Sequence, residues 1–388
     1  MEWNIHCNTI FHQMLKLIPR HHFGKLETEH GTGRKARSFT RWSQLVHLLS
    51  MQLTARVSLW DGVSSLKARI KSLYHLGVKP VARSTFADAN NQRPASFFEA
   101  LFGLMYRRCQ PLAPKHKFKF KNKLFSLDAT VVSLCLALFP WASFRRTKGG
   151  IKLHTLLDHD GYLPAFVAVS PAREPEIKKA RSLSLPKGSI VVEDLGYTDY
   201  AWYAQLTAQK IFFVTRQKRN ARYEVLECRK VNKKQGLLSD QTIRLTGAKA
   251  QECPVPLRRI AYRDATTGRR YVFLTNHFKL AAKTIADIYK ERWQIEIFFR
   301  FIKQNLKIKA FIGNSENAVL TQIYAALIVY LLLCYLKFVC NLSITLQNCI
   351  RILQLNLFRT CTFQELFNPP EKMADYICHP KQLTLALS

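Results

Sequence analysis

From 279 to about 310 the chain carries neither proline nor glycine and its apolar residues recur at helical spacing, so the pattern predicts one long helix. At about 100° per residue, Tyr289, Arg292, Glu296, Arg300 and Lys303 fall within an arc of roughly 80°. Ile288, Ile295, Phe298, Phe301 and Ile302 occupy the remaining sides. The stripe reads in two ways. One is a solvated face steadied by i,i+4 pairing of Glu296 with Arg300. The other is a face walled in by protein, where a carboxylate holds a divalent metal and basic neighbours grip phosphate. The apolar residues around the stripe point to the second.

Upstream, two apolar strand signals each deliver a carboxylate: 124–132 carries Asp128, and 189–196 runs into Asp194 and a glycine turn. Strand alternation sends Glu193 to the face opposite Asp194. Between these strands, 151–170 reads as a hairpin whose turn contains Asp158, Asp160 and Gly161, and the two aspartates suit Asx turn chemistry. A helix over 172–183 follows the hairpin. A helix over 200–209, capped by Asp199, a strand over 210–215 and a strand over 270–276 complete the middle of the chain. The stretch 216–270 is polar, basic and short-stranded. His154 reads as a satisfied polar residue of the sheet, and Trp141 and Trp293 as core residues or base-stacking platforms.

The N-terminal third alternates short helical patterns with turns: 6–18, 42–54 behind Ser38 or Thr40, 58 to about 74 behind Ser58, 85–91 and 94–108, with a basic loop over 31–37. This is either a helix-turn-helix array that lays a helix in a DNA groove or a bundle that packs on the main domain. From 115 to 123 lysine alternates with His116, Phe118, Phe120 and Asn122, which predicts a strand with one wholly basic face. That face is either a lysine-protected edge or a contact to a nucleic-acid backbone. The uncharged stretch between Glu316 and Lys337 has its apolar core at 323–336, short for a bilayer span, and predicts a buried helix.

Composition narrows the partner. The 388 residues suffice for a large core, and 48% hydrophobic content excludes a disordered polycation. Lys and Arg number 59 against 26 Asp and Glu, a net charge of +33. A folded chain with that excess repels itself unless it meets a polyanion, nucleic acid first and an anionic membrane surface second. The ten cysteines form no CxxC pair and suggest no zinc site, and reduced thiols in a cytoplasmic setting are expected.

Two strand aspartates followed by a helix glutamate are what two-metal phosphoryl chemistry needs, because no single segment can wrap two hard cations. The element order is that of an α/β, RNase H-like catalytic core with a β-rich insertion between the second Asp and the Glu, preceded by an all-α N-terminal domain. The expected units are 1–114, helical and DNA-binding; 115–215 and 271–340, the two parts of the core; 216–270, the insertion; and 341–388, a C-terminal helical segment.

Tyr289, Arg292, Glu296 and Lys303 match Y-x2-R-x3-E-x6-K, and the chain thereby resembles bacterial insertion-sequence transposases of family four, the YREK group of DDE enzymes. The segments around Asp128, around Trp141, over 144–149 and at Asp194 through Asp199 are similar to the same family, as are 18–21 and 84–90 in the helical leader. Leu195 departs from the family, where a basic or polar residue is common. The resemblance implies that Asp128, Asp194 and Glu296 are catalytic and hold two Mg2+ ions, with Mn2+ a substitute. It implies that Tyr289, Arg292, Arg300 and Lys303 contact phosphates. It also implies double-stranded DNA partners, both the terminal inverted repeats and the target, and a homodimer on paired ends without membrane association. A DNA-binding repressor that lost its chemistry, or a nuclease without joining activity, are the competing readings.

Overall fold

The computed structural model describes residues 8–31, 36, 38–145, 148–306, 308 and 310–368. The start of the helix expected from His6, most of the basic loop at 31–37 and the C-terminal stretch beyond 368 lie outside the described residues. Helices α1 (Ile10–Lys16), α2 (Arg20–Glu29), α3 (Arg41–Leu53), α4 (Leu59–Lys67), α5 (Ile70–Leu73), α6 (Arg83–Gln92) and α7 (Ser96–Cys109) form the N-terminal part. Thr40 caps α3 and Ser58 caps α4, each accepting from a backbone N–H in the first turn. The helix expected from Ser58 to about 74 is instead split, with α4 ending at Lys67 and α5 beginning at Ile70.

The sheet follows, with strands β1 (Leu124–Leu134), β2 (Ser143–Arg145), β3 (Lys148–Asp158) and β4 (Leu163–Pro171), then α8 (Glu176–Ala180) and β5 (Ile190–Glu193). Next come α9 (Tyr200–Ala208), β6 (Phe212–Arg216), β7 (Arg222–Arg229), β8 (Leu237–Thr246), β9 (Leu257–Arg263) and β10 (Arg270–Thr275). Among the described residues all ten strands join one sheet of order β2-β3-β1-β5-β6-β10-β9-β8-β7, with β4 pairing on β3. β1 runs parallel to β5 and β5 parallel to β6, while β1–β3 and β3–β4 are antiparallel. The polar stretch 216–270 therefore does not stand apart. Its three strands extend the same sheet through the antiparallel β10–β6 pair.

The alternating segment 115–123 is not a strand, because its lysines have different destinations. Lys115 and Lys123 both reach Asp160, Lys123 also reaches Asp158, and Lys117 pairs with Glu291. Phe118 and Phe120 stack with centroids 5.3 Å apart, which folds the segment on itself and removes the single basic face. The helix expected over 172–183 shrinks to α8, entered from Pro175.

The last part holds α10 (Ala282–Glu291), α11 (Trp293–Asn305), α12 (Glu316–Val339), α13 (Leu346–Asn356) and α14 (Phe363–Phe367). The long helix predicted over 279–310 is thus two helices broken at Arg292. Neither proline nor glycine causes the break. Arg292 keeps helical dihedrals (φ −51°, ψ −28°), but its N–H bonds the Tyr289 carbonyl and the Ile295 N–H bonds the Arg292 carbonyl, three residues apart instead of four.

α12 is the centre of the larger core. It is the one helix among the described residues long and apolar enough to cross a membrane, yet 89% of its most apolar window is buried inside the fold. Its polar residues join the layers. Asn317 accepts from the Ala95 N–H at 2.9 Å and donates to the carbonyls of Asn90 and Arg93 at 2.8 and 2.7 Å. Gln322 accepts from the Ile312 N–H and donates to the Ala310 carbonyl. One apolar cluster runs from the N-terminal helices through α12 to α11 and a face of β3 and β4. At roughly 1.5–3 kcal/mol for each large apolar side chain buried, this layer sets a firm floor under α11.

Candidate active site

The site begins with strand register. β1 and β5 are parallel neighbours with Leu127 opposite Glu193, so the next residue on each, Asp128 and Asp194, emerge side by side. Glu193 points to the other face as alternation demands. It is fully buried there beside α9, and burial holds its carboxyl well above the ordinary range. Open α/β sheets place ligands beyond the carboxyl ends of adjacent parallel strands, where Asp194 lies.

The broken helix supplies the rest. Arg292 Nη1 donates to Asp128 Oδ2 at 2.6 Å and lies 3.9 Å from Glu296 Oε1. Tyr289 Oη donates to Asp194 Oδ1 at 3.2 Å, and Arg216 Nη2, at the end of β6, is 3.6 Å from the same oxygen. Lys303 Nζ donates to Thr130 Oγ1, two residues beyond Asp128 on β1. Arg300 is exposed. The fold therefore brings Asp128, Asp194, Tyr289, Arg292 and Glu296 into one network, ties Lys303 to the strand carrying Asp128, and leaves Arg300 at the rim.

Burial pushes the Asp128 carboxyl up to about 7, with Arg292 and the Ala129 N–H pulling it down and the charges of Glu296 and Asp194 pushing it up. Burial and the Asp194 charge hold the Tyr289 hydroxyl up at about 12, so it stays a donor. The Nε atoms of Arg292 and Arg216 are buried and have no acceptor among the described residues, which leaves donors for an anion.

Among the described residues no three His, Cys, Asp or Glu side chains form a group that could hold a metal ion, and the Arg292 guanidinium is the counter-charge that Asp128, Asp194 and Glu296 share. The donor set nevertheless fits a hard divalent cation: carboxylate oxygens come from three elements, and Glu296 and Asp194 lie near enough that their charges help raise the Asp128 carboxyl.

A cavity of about 380 Å³ adjoins these groups, lined by Asp194, Arg216, Tyr262, Asp264, Tyr271, Tyr289, Arg292 and Trp293 among others. Trp293 is 55% exposed in it, so the core reading for this residue is wrong: the break at Arg292 leaves the indole outside the packed layer. Trp141 instead packs on the core and donates its Nε1–H to the Asn314 carbonyl. His154 is buried against Ser170 Oγ at 2.8 Å. Asp199 caps α9 through the Trp202 N–H, and the Asp160 N–H bonds Asp158 Oδ1 in the turn. The stripe gave no hint of Arg216, Glu291, Tyr162 or Lys117. Arg216 touches the network from β6, and Tyr162 and Lys117 hold Glu291, the residue before Arg292, from other elements, so spacing along one helix carries no signal for them.

Neighbouring strand aspartates, a following helix with Glu and Arg, and a strongly basic chain define a DNA-processing enzyme class. The chain belongs to the transposase DDE domain family, whose model matches residues 119–332, while residues 6–79 match a domain of unknown function. It is 36% identical over 251 residues, 64% of this chain and 69% of the relative, to a putative transposase, y4zB, of Sinorhizobium fredii. It is 28% identical over 332 residues to a probable transposase for insertion sequence element IS5377 of Geobacillus stearothermophilus, covering 84% of this chain and 85% of that one. A putative transposase for insertion sequence element IS4SA of Synechocystis sp. is 28% identical over 314 residues, 77% and 86% of the two chains. The protein is a transposase of the insertion-sequence type.

Proposed function

We propose that this transposase catalyses Mg2+-dependent cleavage at DNA ends and strand transfer into target DNA on an RNase H-like core. The observation that carries the reading is the gathering of Asp128, Asp194 and Glu296 around Arg292 from two strands and a helix. The strand run β4-β3-β1-β5-β6, antiparallel and then parallel, supports the RNase H-like assignment.

In this reading Asp128, Asp194 and Glu296 hold two Mg2+ ions, with Mn2+ as a substitute. When bound, the ions acidify the attacking hydroxyl and neutralise charge at the attacked phosphodiester. The protein's own groups do the positioning. Arg292 offers its buried Nε, Tyr289 its retained proton, and Lys303 and Arg300 their charge to the phosphates flanking the cleaved bond. The Asp128 carboxyl, held up to about 7 by burial, would have to be in its deprotonated form to serve as a ligand. Water attacks the phosphodiester to free a 3′-hydroxyl, which then attacks target DNA. One phosphodiester is exchanged for another, so no nucleotide cofactor is required.

The substrates are the terminal inverted repeats of the element and the target duplex, handled by a homodimer on paired ends in the cytoplasm. Residues 1–114 form the DNA-binding unit, 115–215 and 271–340 the core, 216–270 an insertion that grips the transposon end, and 341–388 a C-terminal segment.

The test is an end-cleavage and joining assay with MgCl2 on a duplex carrying the DNA immediately outside the coding region. Glu296→Gln is expected to abolish both steps while leaving DNA binding intact. Full activity in that variant contradicts the site. Cleavage without joining by the native protein identifies a nuclease, and salt-sensitive binding with neither step identifies a repressor.

A further inference from the structure

Glu291 ends α10 one residue before Arg292 and turns away from the active-site stripe. It is only 7% exposed. Its Oε1 accepts from Tyr162 Oη at 2.7 Å, and its Oε2 pairs with Lys117. Tyr162 is half-buried and fixed by its backbone as well as its hydroxyl. Its φ is +53°, in the left-handed region that bulky residues rarely occupy, directly after Gly161 at φ +67°. A Cβ at Gly161 would stand 2.8 Å from Phe338 and 2.9 Å from Ala113, so the turn is seated tightly against the helices. Tyr330 Oη donates to the Tyr162 carbonyl at 2.9 Å.

The same turn reaches the catalytic strand. The Tyr162 ring packs against His159 with centroids 5.7 Å apart, and His159 Nε2 meets Ser126 Oγ at 2.7 Å. Ser126 lies two residues before Asp128 on β1, and Asp128 is bonded to Arg292. The contacts close a circuit: Asp128 strand, Ser126, His159, Tyr162, Glu291, Arg292, and back to Asp128. The helix break, which no proline or glycine explains, sits at the one point where this circuit enters the helix.

We propose that Glu291, clamped by Tyr162 and Lys117, is a positioning residue that holds the helix break at Arg292 and thereby aims the guanidinium at Asp128. In that left-handed backbone the Tyr162 hydroxyl reaches Glu291 at the end of α10. The inference rests on the active-site reading above, since a clamp on Arg292 matters to chemistry only if Arg292 serves it.

The experiment compares Glu291→Ala, Glu291→Gln and Tyr162→Phe with Arg292→Ala and Glu296→Gln in the full-length protein. It measures thermal unfolding, DNA affinity in EDTA, hydrogen exchange of the amides from 289 to 296, and the single-turnover cleavage rate with MgCl2. Glu291→Ala and Tyr162→Phe are expected to cut the rate about ten- to hundredfold, the scale of a misplaced catalytic group, with affinity in EDTA unchanged. Amides at 292–295 should exchange faster in both. Glu291→Gln, which still accepts from Tyr162, should recover part of the rate and the protection. If Arg292→Ala and Glu296→Gln are inactive but Tyr162→Phe and Glu291→Gln keep native rates and native exchange at 292–295, the clamp is refuted and the site stands. If Arg292→Ala and Glu296→Gln keep native rates, the site itself fails. A uniform fall in melting temperature, affinity and rate, with exchange faster throughout the chain, shows a merely structural role and overturns the proposal.

Discussion

Arg292 donates a 2.6 Å hydrogen bond to Asp128, a residue 164 positions earlier, and so fastens the broken helix to strand β1. Both side chains are nearly enclosed, at 14% and 13% exposure. Removing one partner of such a pair leaves the other desolvated. Asp128 can escape part of that cost by taking up a proton, since burial already pushes its carboxyl to about 7. Arg292→Ala is therefore expected to lose roughly 1–3 kcal/mol at pH 8, less than the full penalty for an orphaned buried charge, and to lose less at pH 6. Urea unfolding at the two pH values checks this, and an equal loss at both contradicts it.

His159 gives a second dependence on pH. It is 1% exposed, and burial lowers its imidazole from 6.5 to about 4. The folded value lies below the unfolded one, so the unfolded chain takes the proton first. The contribution is complete above pH 6.5 and is lost as pH falls toward 4, up to about 3 kcal/mol in all. His154 and His277, also buried and lowered to about 4, act in the same direction. His159→Asn should shallow the decline of stability between pH 6.5 and 4 without abolishing it. A decline as steep as in the native protein assigns the proton uptake elsewhere.

Asn317 joins α12 to the N-terminal helices with three hydrogen bonds to the backbone. Asn317→Ala leaves three part-buried backbone groups unpaired, and the expected loss is about 2–3 kcal/mol. Native midpoints for this variant in urea would show that water reaches those groups.

Much of this was legible in the chain. The apolar runs carrying Asp128 and leading into Asp194 read as strands because both faces of that part of the sheet are covered, and the Asn and Gln residues of α12 marked a buried helix and not a lipid-facing one. What was hidden depends on tertiary partners. The lysines of 115–123 alternate as a strand would, but Asp158, Asp160 and Glu291 draw them to separate places. The break at Arg292 has no local marker, since its cause sits on the turn after β3. Trp293 looked like core by composition and became a cavity wall once the helix broke.

Lys303 reaches Thr130 on the strand of Asp128, and Arg300 sits at the exposed rim one turn nearer Glu296. If both face the DNA backbone, each alanine variant should weaken binding evenly across sequences and reduce the logarithmic salt slope by about one. Binding titrations over a range of KCl concentrations measure the slope, and an unchanged slope removes that residue from the interface.

Three carboxylates that converge from two strands and a helix should bind a divalent cation in the absence of DNA. Titration of the full-length protein with Mn2+, followed by electron paramagnetic resonance, measures this without reference to turnover. Native protein should take up the ion, and Asp128→Asn, Asp194→Asn and Glu296→Gln should each weaken uptake at least tenfold, the usual scale for losing a ligand or its support. Unchanged Mn2+ affinity in all three variants would show that these carboxylates do not hold the ion.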